Sequence, residues 1–261
     1  MTDDQIAFQR RFYDQHFAKR AAAVAEQLAH PLLRSFNDRV AARIYDIGGG
    51  PRPTERVLEV GCGDGLLAAS LRSVAASRGV TLAYTGLDLS EASMDLARPH
   101  VVGDLLAGDA AELLGAMAGG SQDIVVAKNL LHHLDDPAGF LREAGRMVGR
   151  AGRVVIFEPN LTCPQFLFFN VLAPQRERHY FKGRRRNVQA LADAGLRVER
   201  TEQFGWLPYE LAFVIRYPVF RRLFKTGRPA TLDRTARVDA RLTRSLPLLA
   251  SYCVWSAAPA S

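Results

Sequence analysis

The 261-residue chain predicts an α/β fold, a parallel sheet wrapped by helices on both faces with a ligand at the carboxyl ends of its strands. Three observations predict it. Strand-like apolar runs alternate with helical stretches from residue 56 to residue 158. The first run, Val57-Leu58, passes straight into Glu59-Val60-Gly61-Cys62-Gly63-Asp64-Gly65, a turn with three alternate glycines. The second and fifth runs end in acids, Asp88 and Glu158.

The elements follow in order. Residues 3–46 carry no strand signal and predict two or three helices, with Ile6, Phe8, Phe12, Tyr13 and Phe17 near helical spacing. Pro31 starts a helix that runs to about Ile47, and Gly48-Gly49-Gly50-Pro51-Arg52-Pro53 breaks the chain before the first strand. Strands are then expected at 56–60, 81–87, 101–106, 123–127 and 153–158. Helices are expected from the glycine turn to 78, from Glu91 to Ala97 and from Pro137 to Val148. Asn187–Ala194 predicts a helix with Gly195 as its cap, Arg197–Gln203 a sixth strand and Ser251–Ser256 a seventh. Residues 204–248 are far longer than a hairpin turn, and a connection of that length in a compact domain is functional or mobile. The expected organisation is a helical cap over 1–50 and a main domain over 51–261, with 204–248 inserted as a substrate cap. There are no internal repeats and no low-complexity tract.

The glycine turn carries the first chemical argument. Glycine permits unusual dihedrals and lets a ligand approach bare backbone. A dinucleotide fingerprint needs G-x-G-x-x-G, with the pyrophosphate on a helix N-terminus. Here the third glycine comes one residue early, and Glu59 precedes the first by two. A carboxylate there repels a pyrophosphate and suits a cationic ligand without phosphate. S-adenosylmethionine, with its sulfonium and ammonium, is such a ligand. Asp88, closing the second strand, lies in the right region to accept from both hydroxyls of an adenosine ribose. Asp109, at a later loop, suits the exocyclic amine of adenine. Both acids also read as solvated loop residues or helix caps.

With these ordered motifs the chain resembles the class I S-adenosylmethionine-dependent methyltransferases, small-molecule type, over about residues 50–203. The Val57–Gly65 turn and the segment Leu131-His132-His133-Leu134 carry the resemblance. It implies a Rossmann-like, seven-stranded, mostly parallel sheet, whose last strand inserts antiparallel between the fifth and sixth. It also implies that Glu59, Gly61, Cys62 and Gly63 line the methionine moiety of the cofactor, and that Asp88 holds the ribose. Leu89 would then pack on adenine, Asp109 and Ala110 would meet its edge, and Lys128 and Asn129 would face the cofactor largely through backbone.

Methyl transfer from a sulfonium is an in-line displacement, so the protein chiefly aligns the reactants and excludes water. A base is needed only where the acceptor arrives protonated. Candidates are His133 and His132, which titrate near neutrality, and Glu158 at the fifth strand's end. Each also reads as a structural residue. Tyr13, His179, Trp206 and Tyr209 are candidate substrate contacts, from the N-terminal helices, a basic loop and the aromatic insertion. Lys128-Asn129-Leu130-Leu131 is not the Asn/Asp-Pro-Pro-aromatic box of enzymes that methylate nucleic-acid bases, which argues against nucleic acid as substrate. Lys128 and Glu158-Pro159-Asn160 do not reproduce the acids of magnesium-dependent catechol enzymes, and adjacent histidines diverge in a helix; no metal is expected.

Composition sets the surroundings. Cys62, Cys163 and Cys253 lack disulfide or metal spacing, and the acidic N-terminus lacks an apolar core, which together predict a cytoplasmic protein without a signal peptide. The net charge of +7 is unevenly placed: 176–186 holds six basic residues against one acid, and 216–244 nine against two. That basic third suits an anionic small-molecule substrate or a peripheral membrane contact. The favoured reading is methyl transfer to an apolar, aromatic or prenyl/polyketide-like small molecule, with oxygen as first acceptor and carbon or nitrogen open. The alternatives are a membrane-peripheral lipid or quinone methyltransferase, and a non-catalytic S-adenosylmethionine-binding regulator or scaffold. Substrate identity and oligomeric state are not legible.

Overall fold

The structure, a computed structural model, describes residues 3–29, 31–48, 52–160, 162–163, 183–205 and 229–260. Three helices lead: α1 (Asp3–Phe17), α2 (Ala21–Ala29) and α3 (Pro31–Ile47). The alternating part follows as β1 (Thr54–Val60), α4 (Leu66–Ser77), β2 (Thr81–Asp88), α5 (Glu91–Ala97), β3 (Asp104–Ala107), α6 (Ala110–Ala116), β4 (Ile124–Lys128), α7 (Pro137–Val148) and β5 (Arg153–Pro159). Then come α8 (Arg184–Asp193), β6 (Leu196–Phe204), α9 (Pro229–Ser245) and β7 (Tyr252–Pro259). The seven strands form one sheet in the order β3-β2-β1-β4-β5-β7-β6. β1 to β5 pair in parallel, and β7 lies antiparallel between β5 and β6.

Strand periodicity builds two cores from one set of residues. In β4, Ile124 and Val126 face one layer and Val125 and Ala127 the other; in β5, Val155 and Phe157 oppose Val154 and Ile156. All eight are fully buried, as expected for central strands covered on both faces. The first layer takes α3 and α4, through Val40, Ile44, Leu67 and Leu71; the second takes α7 and α8, through Leu141, Met147 and Leu191. α3, grouped with the cap in the sequence reading, thus buries Val40, Ala41 and Ile44 in the sheet's core. It is also tied to the sheet by Ser256 Oγ donating to the Ile47 carbonyl at 2.7 Å.

Caps explain why several helices begin where they do. Ser90 Oγ accepts from Ser93 N–H ahead of α5, Asp109 Oδ1 from Ala111 N–H ahead of α6, and Asp136 Oδ1 from Gly139 N–H ahead of α7. Pro137, at the first position of α7, gives up an N–H that would have had no partner. Helix α6 was not anticipated from the sequence, and β3 begins at Asp104 rather than 101. Among the described residues no helix is long and apolar enough to cross a membrane.

Candidate active site

The carboxyl ends of β1, β2, β3 and β4 open into a cavity of about 320 Å³, roofed by α1. Its floor is the glycine turn. Gly61 and Gly63 take φ of +74° and +53°, which a residue with a Cβ adopts only at a cost. Both line the cavity. Leu130 crowds the turn, since a Cβ at Gly61 would stand 3.1 Å from Leu130 Cδ1, whereas one at Gly63 would make ordinary contact with Phe17 and is opposed by the φ of +53°. Gly65 serves packing instead, since a Cβ there would stand 2.6 Å from Val101 Cγ2. The turn is latched to β2 by Gly61 and Cys62 N–H groups donating to the Leu87 carbonyl, and by Gly63 N–H donating to Asp88 Oδ2 at 2.8 Å.

Acids converge on this floor. Glu59 is 3 % exposed, and burial pushes its carboxyl up to about 8, against the Tyr84 hydroxyl and the Lys128 charge, which both pull it down. Tyr84 donates to Glu59 Oε2 at 2.8 Å. Asp88 accepts from Gly63 N–H at Oδ2 and from Ser90 N–H at Oδ1, and burial raises its pKa too. Asp109 lines the cavity while its Oδ1 caps α6, so the cap reading and the cavity reading both describe it. Asn129 is the one described non-glycine residue with positive φ, at 56°. Its buried Oδ1 has no hydrogen-bond partner and its side belongs to the cavity wall. An unpaired buried acceptor of this kind is costly unless a donor arrives.

The roof is joined to the floor by polar contacts distant in sequence. Asp14 Oδ1 accepts from Ser90 Oγ at 2.6 Å, and Arg20 pairs with Asp64 at 2.8 Å. Tyr13 Oη lies 3.0 Å from Nδ1 of His133, with the rings edge to face at 5.7 Å. Gln9 Nε2 donates to the His133 carbonyl. His133 and Tyr13 therefore meet at the cavity wall, one from the turn after β4 and the other from α1.

Glu158 and His132 lie elsewhere. Neither lines the cavity. Glu158, 2 % exposed, accepts from Leu130 and Leu131 N–H at Oε1 and meets His132 Nδ1 at 2.7 Å through Oε2. Glu158, a candidate base from its place at the fifth strand's end, does not open into the cavity. It continues the side of Val154 and Ile156 and ends beneath the 131–133 turn. There it braces the backbone that follows Asn129, and the His132 ring lies tilted against that of His133, centroids 4.0 Å apart. These two are positioning residues by geometry.

All ten residues expected around the cofactor (Glu59, Gly61, Cys62, Gly63, Asp88, Leu89, Asp109, Ala110, Lys128 and Asn129) line this cavity. His179, Trp206 and Tyr209 fall outside the described residues. Gln9, Phe17, Arg20 and Leu130 also line the wall; of these only Phe17 gave a sequence signal, through its spacing from Tyr13. The residues fit S-adenosylmethionine: two bare glycines at positive φ, a buried acid facing a cationic group, and an orphaned acceptor at Asn129.

The comparisons agree with this geometry. Residues 58–156 match the family described as "Methyltransferase domain". A ubiquinone biosynthesis O-methyltransferase of Pseudomonas aeruginosa (strain LESB58) is 32% identical over 118 residues, 44% of this chain and 48% of that protein. The chain thus spans about half the length of the curated relatives it matches. Among solved structures, a SAM dependent methyltransferase from Archaeoglobus fulgidus superposes with TM-score 0.54 at 20% identity, covering 85% of this chain and 93% of that one. Geranyl diphosphate C-methyltransferase from Streptomyces coelicolor A3(2) gives 0.55 at 18% identity, covering 84% and 78%. At such identities the superpositions speak for the fold, and the sequence match speaks for the domain. Residues 58–156 thus match a methyltransferase domain, and the sheet has the Rossmann-like fold of the S-adenosylmethionine-dependent methyltransferases on which it superposes.

Proposed function

We propose that the protein transfers a methyl group from S-adenosylmethionine to an apolar small molecule, with oxygen as the acceptor. The observation that carries this reading is the convergence of Glu59, Asp88, Asn129 and the Tyr13–His133 pair on one cavity. When bound, S-adenosylmethionine supplies a methyl group already activated on sulfur. Glu59 and Asn129 offer acceptors to its ammonium, Asp88 offers carboxylate lone pairs to the ribose hydroxyls, and Asp109 and Ala110 stand at the adenine edge. Phe17 and Leu130 shield the cavity from water, which would otherwise compete for the methyl group.

His133 is the only candidate base of the three that lines the cavity wall among the described residues. Tyr13 Oη lies 3.0 Å from Nδ1 and 3.3 Å from Nε2 and orients the ring at the cavity wall, where the imidazole can take a proton from a phenol or alcohol as the bond to carbon forms. Oxygen acceptance draws support from the O-methyltransferase named among the relatives. A non-catalytic cofactor-binding role remains the competing class.

A methyl-transfer assay with labelled cofactor and a panel of phenols, catechols and hydroxylated prenyl compounds tests the reading. Turnover is expected on at least one member. His133→Ala should lower kcat by roughly 100-fold, the usual contribution of a general base, with cofactor affinity unchanged. Full cofactor binding with no transfer to any acceptor would give the competing class the better claim; unaltered kcat in His133→Ala would remove the base.

A further inference from the structure

Helix α9 presents two faces with different chemistry. Arg234, Arg237, Arg241 and Arg244 follow the spacing i, i+3, i+7, i+10, which gathers them into a sector of roughly 80° around the helix. All four are exposed, and among the described residues none takes part in an ion pair. Asp239, on the opposite side, is 2 % exposed and receives Arg39 Nη1 at 2.6 Å, which seats the helix on α3. The arginines therefore point outward because the acid points in.

Apolar side chains accompany them. Val238, one turn on from Arg234, flanks the arginine sector and is 43 % exposed; Leu246 and Leu248 just beyond the helix are 44 % and 66 % exposed. Their exposure is held in place. The Leu248 carbonyl accepts from Asn160 Nδ2 at 3.0 Å and from Thr162 Oγ1, so the 247–249 turn is fastened to the end of β5. That end is where β5 pairs with the start of β7, Pro159 opposite Tyr252, on the same carboxyl edge of the sheet as the cavity.

We propose that this face, from Arg234 to Leu248, docks the protein on an anionic lipid bilayer. The arginines meet the headgroup charge with their stems along the surface, while Val238, Leu246 and Leu248 enter the boundary with the acyl chains. Each basic residue near such a surface raises partitioning roughly fivefold. A nucleic acid would engage the arginines equally well but has no use for two presented leucines on a pinned turn. The acceptor then comes from the membrane as an amphiphile, a consequence that rests on the methyl-transfer reading above; the docking itself does not.

Co-sedimentation of the full chain with vesicles of phosphatidylcholine alone, or mixed with phosphatidylglycerol, tests this. The protein is expected on the mixed vesicles only, released by raised salt. R237E/R241E should lower partitioning roughly 25-fold or more, and Leu248→Asp should weaken it at every salt concentration. Each variant should still bind S-adenosylmethionine as the wild type does, which shows it folded. No binding to mixed vesicles, equal binding by the folded R237E/R241E variant, or displacement by short duplex DNA at lower concentration than lipid overturns the proposal. If the wild type fails to bind S-adenosylmethionine yet keeps salt-sensitive vesicle binding, the methyl-transfer reading falls and the docking surface stands.

Discussion

The carboxyl edge of the sheet has two halves of opposite character. From β3 to β4 it is enclosed and carries the acids Glu59, Asp64, Asp88 and Asp109 around a cavity. From β5 to β7 and α9 the described residues present arginines and exposed leucines. The first half is defined by backbone: turn dihedrals, latching N–H groups and a positive φ at Asn129. The second is defined by side-chain charge on a regular helix. One half encloses a small cavity lined by acids, and the other presents positive charge and apolar side chains outward.

Glu158 joins the halves, so removing it is the most direct way to break the contrast. Glu158→Ala leaves the N–H groups of Leu130 and Leu131 and the His132 ring without their buried acceptor. We expect a loss of about 3 kcal/mol in chemical denaturation, with Glu158→Gln recovering part of it. A cost below about 0.5 kcal/mol, the level of an ordinary surface change, would mean the enclosed half is braced from elsewhere.

The acidic half should also announce itself through pH. Glu59 loses its proton near 4.5 in the unfolded chain and near 8 when folded, because burial dominates. Between those values the folded protein holds the extra proton, so stability falls as pH rises from about 4.5 toward about 8. Asp88 and Glu55 are shifted in the same direction by burial and add to the slope. Thermal denaturation across this window should show the decline, and Glu59→Gln should flatten it. An equal slope in that variant would assign the effect to other groups. The basic half, with its charges in water, should contribute little.

Legibility in the sequence divides along the same line. The glycine turn, α5 from Glu91 to Ala97 and α7 from Pro137 to Val148 stand where the residues alone predict them, since their start and stop signals are local. β3 begins three residues later than predicted, just past Gly103, whose φ of 145° and place beside the Tyr84 carbonyl leave no room for a Cβ. β7 continues to Pro259, past Ser256, because Ala257 and Ala258 pair with β5 and β6 despite having little strand preference of their own. Within the site, the glycines were readable as one contiguous motif and Asp88 as the acid that closes the next strand. Asp14–Ser90 and Arg20–Asp64 were not, because no local pattern reports a contact between residues 76 or 44 positions apart. Glu158 was readable in principle: its parity with Ile156 decides which side of the sheet it faces.

We expect the enclosed half, and not the basic one, to hold a cationic adenosyl cofactor. Calorimetric titration with S-adenosylmethionine tests it most directly, on the wild type, Gly63→Val and Arg241→Glu. We expect one site in the wild type, its loss in Gly63→Val, where a branched side chain meets a left-handed turn facing the cavity, and unchanged affinity in Arg241→Glu. No heat of binding in the wild type, or loss in Arg241→Glu with retention in Gly63→Val, would contradict it.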